Sequence, residues 1–303
     1  MPASAPPPLR VGDSRIHRVE EAVYKMPLAM FGPDELIERH WEWLFPRFAD
    51  AERNWDMVVQ SWIAVVDGRV VVVDPCVGNG RSLPDFPLFH MLETPFIERF
   101  AATGFRPEDV THVFCTHLHS DHCGWNTQLR DGRYAPTFPN ARYVIVRREY
   151  ERWDPERPGY DPSELHNRLT AGVFENSVRP VVEAGLAELV GDSHRICESL
   201  TVAPAWGHTP GHSALHLSSA GEEAWFTGDV FHHPLELLHP EIDANTCEDY
   251  PATLATRRRL IADCLDTGAL LIPAHFAAPH AGHLRRIDGA VRFEPYAPEA
   301  PRP

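Results

Sequence analysis

Between Cys115 and Trp125 the chain reads CTHLHSDHCGW, which places His117, His119, Asp121 and His122 within six positions. Buried without partners, these side chains would leave polar groups unmet, so some partner must answer them. Imidazoles and a carboxylate gathered at this spacing suit a divalent metal, and a metal that keeps a position open for water suits hydrolysis. Three later stretches end on residues of the same kind: WGHTPGH with His208, FTGDVFHH with Asp229 and IPAHF with His275. Each ends or follows an apolar run, and loops at the ends of strands can bring together ligands that lie far apart in sequence.

The elements that must position these residues are legible from periodicity and turn chemistry. Behind Asp34 as a cap, Ile37, Trp41, Leu44 and Phe48 recur at helical spacing, and this aromatic face is expected to pack inward rather than to form a substrate or dimer surface. MVVQSWIAVV and RVVVVD flank Asp67-Gly68 and read as an antiparallel hairpin. TPFIERFAATG reads as a helix with Thr94 at its start, Pro95 in its first turn and Gly104 past its end. VTHVFCT is a buried strand leading into the histidine-rich loop, and ARYVIVRRE is another. LAELV, LTVAPAW, ALHLSS, EAWFTGD and ALLIPAH are further strands, with a helix near Tyr250 to Leu265 before the last of them. Strands in both halves with helices between and after them suggest an α+β chain with two sheets face to face and helices outside.

Residues 1–14 are expected to be a mobile N-terminal segment, 15–295 a single domain and 296–303 a tail. Tyr150 to Pro180, rich in Pro, Trp, Tyr and charge, reads as an inserted cover segment over one edge rather than as core. The Arg257 to Arg259 triplet sits in a helix and reads as a solvated face.

Composition narrows the partners. A formal charge of −15 with a single lysine, Lys25, argues against nucleic acid, which needs clustered positive charge. Six cysteines without a CxxC pair point to reduced thiols. No signal peptide and no membrane span is visible, so no membrane partner is expected and a cytoplasmic location is the default.

Taken together, HLHSDH at 117–122, GHTPGH, TGD, PAH and the earlier loop VVVDPCVGNG make the chain resemble the metallo-β-lactamase-fold hydrolase superfamily from about residue 15 to about residue 290. Five separated motifs in order are far more specific than a lone HxH. The alternative, seven unrelated polar side chains in loops, would need all of these motifs to coincide by chance.

The resemblance implies a four-layer αββα sandwich with two divalent metal ions. One is held by His117, His119 and His208, the other by Asp121, His122 and His275, with Asp229 bridging. The donor set suits Zn²⁺, with Mn²⁺, Fe²⁺ or Co²⁺ as alternatives. It further implies that a bridging hydroxide attacks a scissile carbonyl and that Asp121 shuttles a proton. Asp74 would orient a ligand histidine or cap the turn near Gly78. His212 and His216 are expected to pack or support rather than ligate, and Cys123 to be a buried thiol.

His232 lies three residues after Asp229, where acyl-homoserine lactonases of the superfamily carry a substrate-contacting tyrosine. It would either donate to a developing oxyanion or pack. His119 in place of a glutamate disfavours a redox di-iron centre, and TGDV offers no zinc-binding cysteine. A hydrolase of a small-molecule lactone or carboxylic ester is expected, its substrate apolar or aromatic beneath Trp41, Trp43, Trp153 and Tyr160. Organophosphate, phosphodiester or β-lactam hydrolysis, and a mononuclear-iron sulfur dioxygenase, stand as alternatives. A homodimer is left open.

Overall fold

The computed structural model describes residues 6–297. In chain order its strands are β1 (Leu9–Val11), β2 (Ser14–Pro27), β3 (Asn54–Val66), β4 (Arg69–Val73), β5 (His112–Phe114), β6 (Thr127–Arg130), β7 (Arg133–Pro136), β8 (Arg142–Val146) and β9 (Ala187–Val190). They continue with β10 (His194–Cys197), β11 (Leu200–Pro204), β12 (Ser213–Ser219), β13 (Glu222–Gly228), β14 (Leu270–Pro273), β15 (Gly282–Ile287) and β16 (Ala290–Pro295). The α-helices are α1 (Asp34–Leu44), α2 (Phe96–Ala102), α3 (Ser120–Cys123), α4 (Arg147–Trp153), α5 (Leu165–Leu169), α6 (Arg179–Glu183), α7 (Leu235–Leu238) and α8 (Tyr250–Thr267).

Two seven-stranded sheets form, in the orders β1-β2-β3-β4-β5-β8-β9 and β10-β11-β12-β13-β14-β15-β16, with β6 and β7 as a separate pair. Side chains alternate across each strand, and the alternation builds the layers. In β4, Val71 and Val73 meet Phe114, Val144, Leu215, Phe226 and Ile272 between the sheets, while Val72 points to the other face. On that outer face of the first sheet, Val113, Tyr143 and Ile145 pack with Phe96 and Phe100 of α2. On the outer face of the second sheet, Trp225 and Leu271 pack with Ile37 and Leu44 of α1 and with Leu260, Ile261 and Cys264 of α8. Helix, sheet, sheet, helix is therefore the layer order, and the expected αββα sandwich is the observed one.

The Asp67-Gly68 hairpin is present, with Val66 opposite Arg69 and both turn residues at positive φ, as a type I′ turn requires. Several expectations need correction. Leu9–Val11 pairs with β2, so chain order begins before residue 14; residues 1–5 lie outside the described residues. At the other end Tyr296 is tied down, its hydroxyl accepting from the Arg10 backbone N–H at 3.1 Å, while 298–303 lie outside the described residues. Asp34 is the first helical residue of α1 rather than its cap. Residues 150–180 are core at both ends, while between them 154–172 lie at the surface with only Asn167 buried. The segment forms short helical turns that bury Trp153, Val173, Phe174 and Val178 in the outer cluster of the first sheet. The arginine triplet is not wholly solvated either, because Arg257 is 1% exposed.

The candidate ligands follow β5, β13 and β14 and the β11–β12 connection, with Asp74 at the end of β4 beside them; β4 runs parallel to β5 and β13 to β14. Open sheets place ligand crevices outside such carboxyl ends, where backbone leaves the ladder and side chains are free to converge.

Candidate metal centre

β5 ends at Phe114 and delivers His117 and His119 in a loop, then Asp121 and His122 on the single turn of α3. The β11–β12 connection carries His208, β13 ends immediately before Asp229, and β14 ends two residues before His275. All seven residues singled out as ligands are brought together. They fall into two sets, His117, His119, His208 and Asp229 in one and Asp121, His122 and His275 in the other, the ligand atoms of each lying within 4.8 Å of one another.

In the first set His119 Nδ1 lies 3.0 Å from both His117 Nε2 and His208 Nε2. Asp229 Oδ2 lies 3.4 Å from His208 Nε2 and 3.8 Å from His117 Nε2. The other oxygen of Asp229 serves the second set, Oδ1 standing 3.3 Å from His122 Nε2 and 3.1 Å from His275 Nε2. Asp121 Oδ2 completes that set at 3.7 Å from His122 Nε2 and 3.6 Å from His275 Nε2.

These spacings suit metal. Ligands at ~2.0–2.1 Å around a tetrahedral ion lie about 3.3 Å from each other. His122 Nε2 and Asp229 Oδ1 are buried and make no hydrogen bond despite their proximity, leaving two polar atoms unanswered by protein. Burial holds His117, His119 and His208 well below the usual imidazole range, so their lone pairs are available.

The support around the ligands is specific. Asp74 sits at φ 50, a conformation Asp tolerates better than most residues. Its carboxylate accepts from the Thr116 N–H at 2.7 Å and the Thr116 hydroxyl at 2.9 Å, and Oδ2 approaches His122 Nδ1 at 3.1 Å. His275 Nδ1 lies 2.9 Å from the Val58 carbonyl on β3. His212 Nε2 accepts from the Asp229 backbone N–H at 3.1 Å, so the second histidine of GHTPGH holds the bridging residue in place. Gly228, at φ 51, lets this happen, since a Cβ there would lie 2.7 Å from that same nitrogen.

His232 reaches the centre, with Nε2 3.3 Å from Asp229 Oδ2 and Nδ1 3.7 Å from Glu236. Burial alone would lower its pKa, but the Asp229 and Glu236 carboxylates push it up to about 10. His216 lies apart from the site, stacked on Trp225 at 4.3 Å, and Cys123 is a buried thiol whose pKa burial raises. Trp153 stands edge-on to His119 at 5.1 Å, whereas Trp41 stacks on Phe45 at 5.5 Å as part of the packing around α1.

Sequence reasoning passed over two buried charged groups, Glu149 and Glu236, and read a third, Arg257, as solvated. Glu149 binds the ligand loops, Glu236 accepts from the His232 N–H at 2.6 Å, and Arg257 pairs with Glu236. Each sits in a polar or charged run, RRE, PLELL or RRR, where nothing local separates a buried charge from a solvated one. A further group, Glu164, His166 and Glu248, has its charge answered by Arg152, which bonds Glu164 at 3.0 Å and Glu248 at 2.8 Å.

A family model described as the metallo-beta-lactamase superfamily matches residues 54–275. The N-acyl homoserine lactonase AttM of Rhizobium radiobacter is 30% identical over 128 residues, 39% of this chain and 40% of that protein. AttM of Agrobacterium fabrum is 29% identical over the same length, so the chain spans about two fifths of these curated relatives. Among solved structures, the hydrolase AbOPH in the beta lactamase superfamily aligns with TM-score 0.79 at 21% identity, over 99% of this chain and 100% of that one. AidC, a dizinc quorum-quenching lactonase in complex with a product, aligns with TM-score 0.76 at 18% identity, over 97% and 98%. At such identities the structural likeness establishes the fold. Among the described residues no helix is long and apolar enough to cross a membrane.

Proposed function

The chain belongs to the metallo-β-lactamase superfamily, and from that premise we propose that it is a dimetal hydrolase of a small-molecule lactone or carboxylic ester. One observation carries the reading: the two oxygens of Asp229 face different histidine sets, Oδ2 toward His208 at 3.4 Å and Oδ1 toward His275 at 3.1 Å. A carboxylate so divided is what a pair of cations sharing one ligand requires. His117, His119, His208 and Asp229 would hold one ion, and Asp121, His122, His275 and Asp229 the other. Two divalent ions held there, most simply Zn²⁺, would supply a water with its pKa lowered toward about 7 and would polarise a carbonyl oxygen.

The protein's own groups do the rest. Asp121 and His119 are the ligands left partly open, so a substrate approaches over them. Asp121 is placed there to accept and pass on a proton. His232 presents Nε2 to the centre, 3.3 Å from Asp229 Oδ2, and this is the ring nitrogen that would donate to a developing oxyanion once Asp229 is committed to metal. Trp153, 4% exposed, backs His119 edge-on at 5.1 Å and steadies that ring beside the approach. That AttM and AidC are lactonases supports a lactone or ester as substrate.

Metal content by mass spectrometry, paired with a pH-indicator screen of lactones, aryl esters, phosphotriesters and β-lactams, tests the reading. About two metal ions per chain with acid release from lactones or esters is expected. One iron per chain, oxygen uptake with persulfide and no ester turnover would sink it.

A further inference from the structure

Glu149, the third residue of α4, is a carboxylate with no place among the ligands. It is 1% exposed, and both of its oxygens are in use. Oε1 accepts from the Leu118 backbone N–H at 3.0 Å and from the Trp153 indole N–H at 2.5 Å. Oε2 accepts from the Thr209 hydroxyl at 2.7 Å and from the Gly211 backbone N–H at 3.0 Å.

Leu118 lies between His117 and His119, and Thr209 follows His208, so one carboxylate ties together the two loops that carry every imidazole of the first set. Those loops lie 31 residues before it and 60 residues after it. The approach is close enough to dictate sequence, because a Cβ at Gly211 would lie 2.3 Å from the Glu149 backbone nitrogen. Glu149 makes no hydrogen bond to the second set. There His122 is backed by Asp74 at 3.1 Å and His275 by the Val58 carbonyl at 2.9 Å.

We propose that Glu149 is a positioning residue selective for one of the two metal positions, setting the spacing of His117, His119 and His208 while leaving the Asp121, His122 and His275 position to other supports. The inference rests on the dimetal reading above. Its physical basis is directional: three donors from two loops, with the Trp153 indole of α4 as a fourth, converge on two acceptor atoms, and the loops keep their separation only while both atoms accept. A glutamine has one acceptor oxygen, and its NH₂ group would face donors on the other side.

Titration of the metal-free full chain with Co²⁺, followed by visible absorbance and calorimetry, tests it. The wild type should bind in two steps. In Glu149→Gln one step should weaken by about 10- to 100-fold, the usual cost of losing a group behind a metal ligand, while the other keeps its affinity. Thr209→Val removes a single donor and leaves the carboxylate in place, so it should weaken the same step by less, and it decides the matter if Glu149→Gln does not fold. Folded variants in which both steps are unchanged, or both weaken alike, overturn the proposal and leave the dimetal reading standing. A wild type that takes up fewer than two Co²⁺ overturns both.

Discussion

Asp229 is 4% exposed and has imidazoles on both sides, a position no bare carboxylate would occupy without compensating charge. His232 is the residue whose role depends most on this arrangement. It stands 3.3 Å from Asp229 Oδ2, yet it belongs to neither ligand set. A hydrogen-bond donor and a metal ligand differ in what their loss removes. His232→Phe should lower kcat about 100-fold, within the range for loss of a positioned acid or donor, while metal content stays at two per chain. Loss of one metal equivalent in that variant would make His232 a ligand instead.

Between elements, the turn that carries His232 is held by a buried ion pair. Glu236 on α7 accepts from the backbone N–H groups of His232 at 2.6 Å and His233 at 3.2 Å, and pairs with Arg257 of α8. The guanidinium also donates to the Val230 carbonyl at 2.8 Å and the Ile242 carbonyl at 2.6 Å, so α8 clamps both sides of α7. Replacing Glu236 by Gln should cost about 3–5 kcal/mol, because Arg257 is left as an uncompensated buried charge. Burial raises the Glu236 pKa, but Arg257 and then His232 outweigh it and hold it at about 2. A carboxyl depressed on folding contributes stability above its unfolded pKa and loses it as pH falls toward the folded one. The gap between wild type and Glu236→Gln in urea unfolding should therefore be full above about pH 5 and close as pH falls toward 2. A gap independent of pH would show that the pair is not what stabilises the turn.

Across the molecule, the two sheets bring together in one place the free ends of β5, β13 and β14 and the β11–β12 loop, and the cluster so formed carries lone pairs and carboxylate charge that a cation would answer. Removing metal with a chelator should lower Tm by roughly 4–8 °C, and restoring Zn²⁺ should reverse the fall, since each ion at 100 times its Kd adds about 2.7 kcal/mol, about 4 °C for a chain of this length. An unchanged Tm would mean that the ligand loops keep their geometry without metal. The seven candidate ligand residues, the hairpin at Asp67-Gly68 and the two-sheet architecture were legible in the sequence alone, the first through ordered motifs that resemble the superfamily and the others because period-two alternation and turn chemistry are local properties. The tertiary structure alone decided which oxygen of Asp229 faces which histidines, that Val58 supports His275 from 217 residues away, that Arg257 leaves its solvated neighbours for the interior, and that both ends of the 150–180 segment join the core. Each of those outcomes depends on which distant surface a side chain meets once the sheets have packed, and a charged residue in a charged run has the same local pattern whether its partner is water or a buried ion.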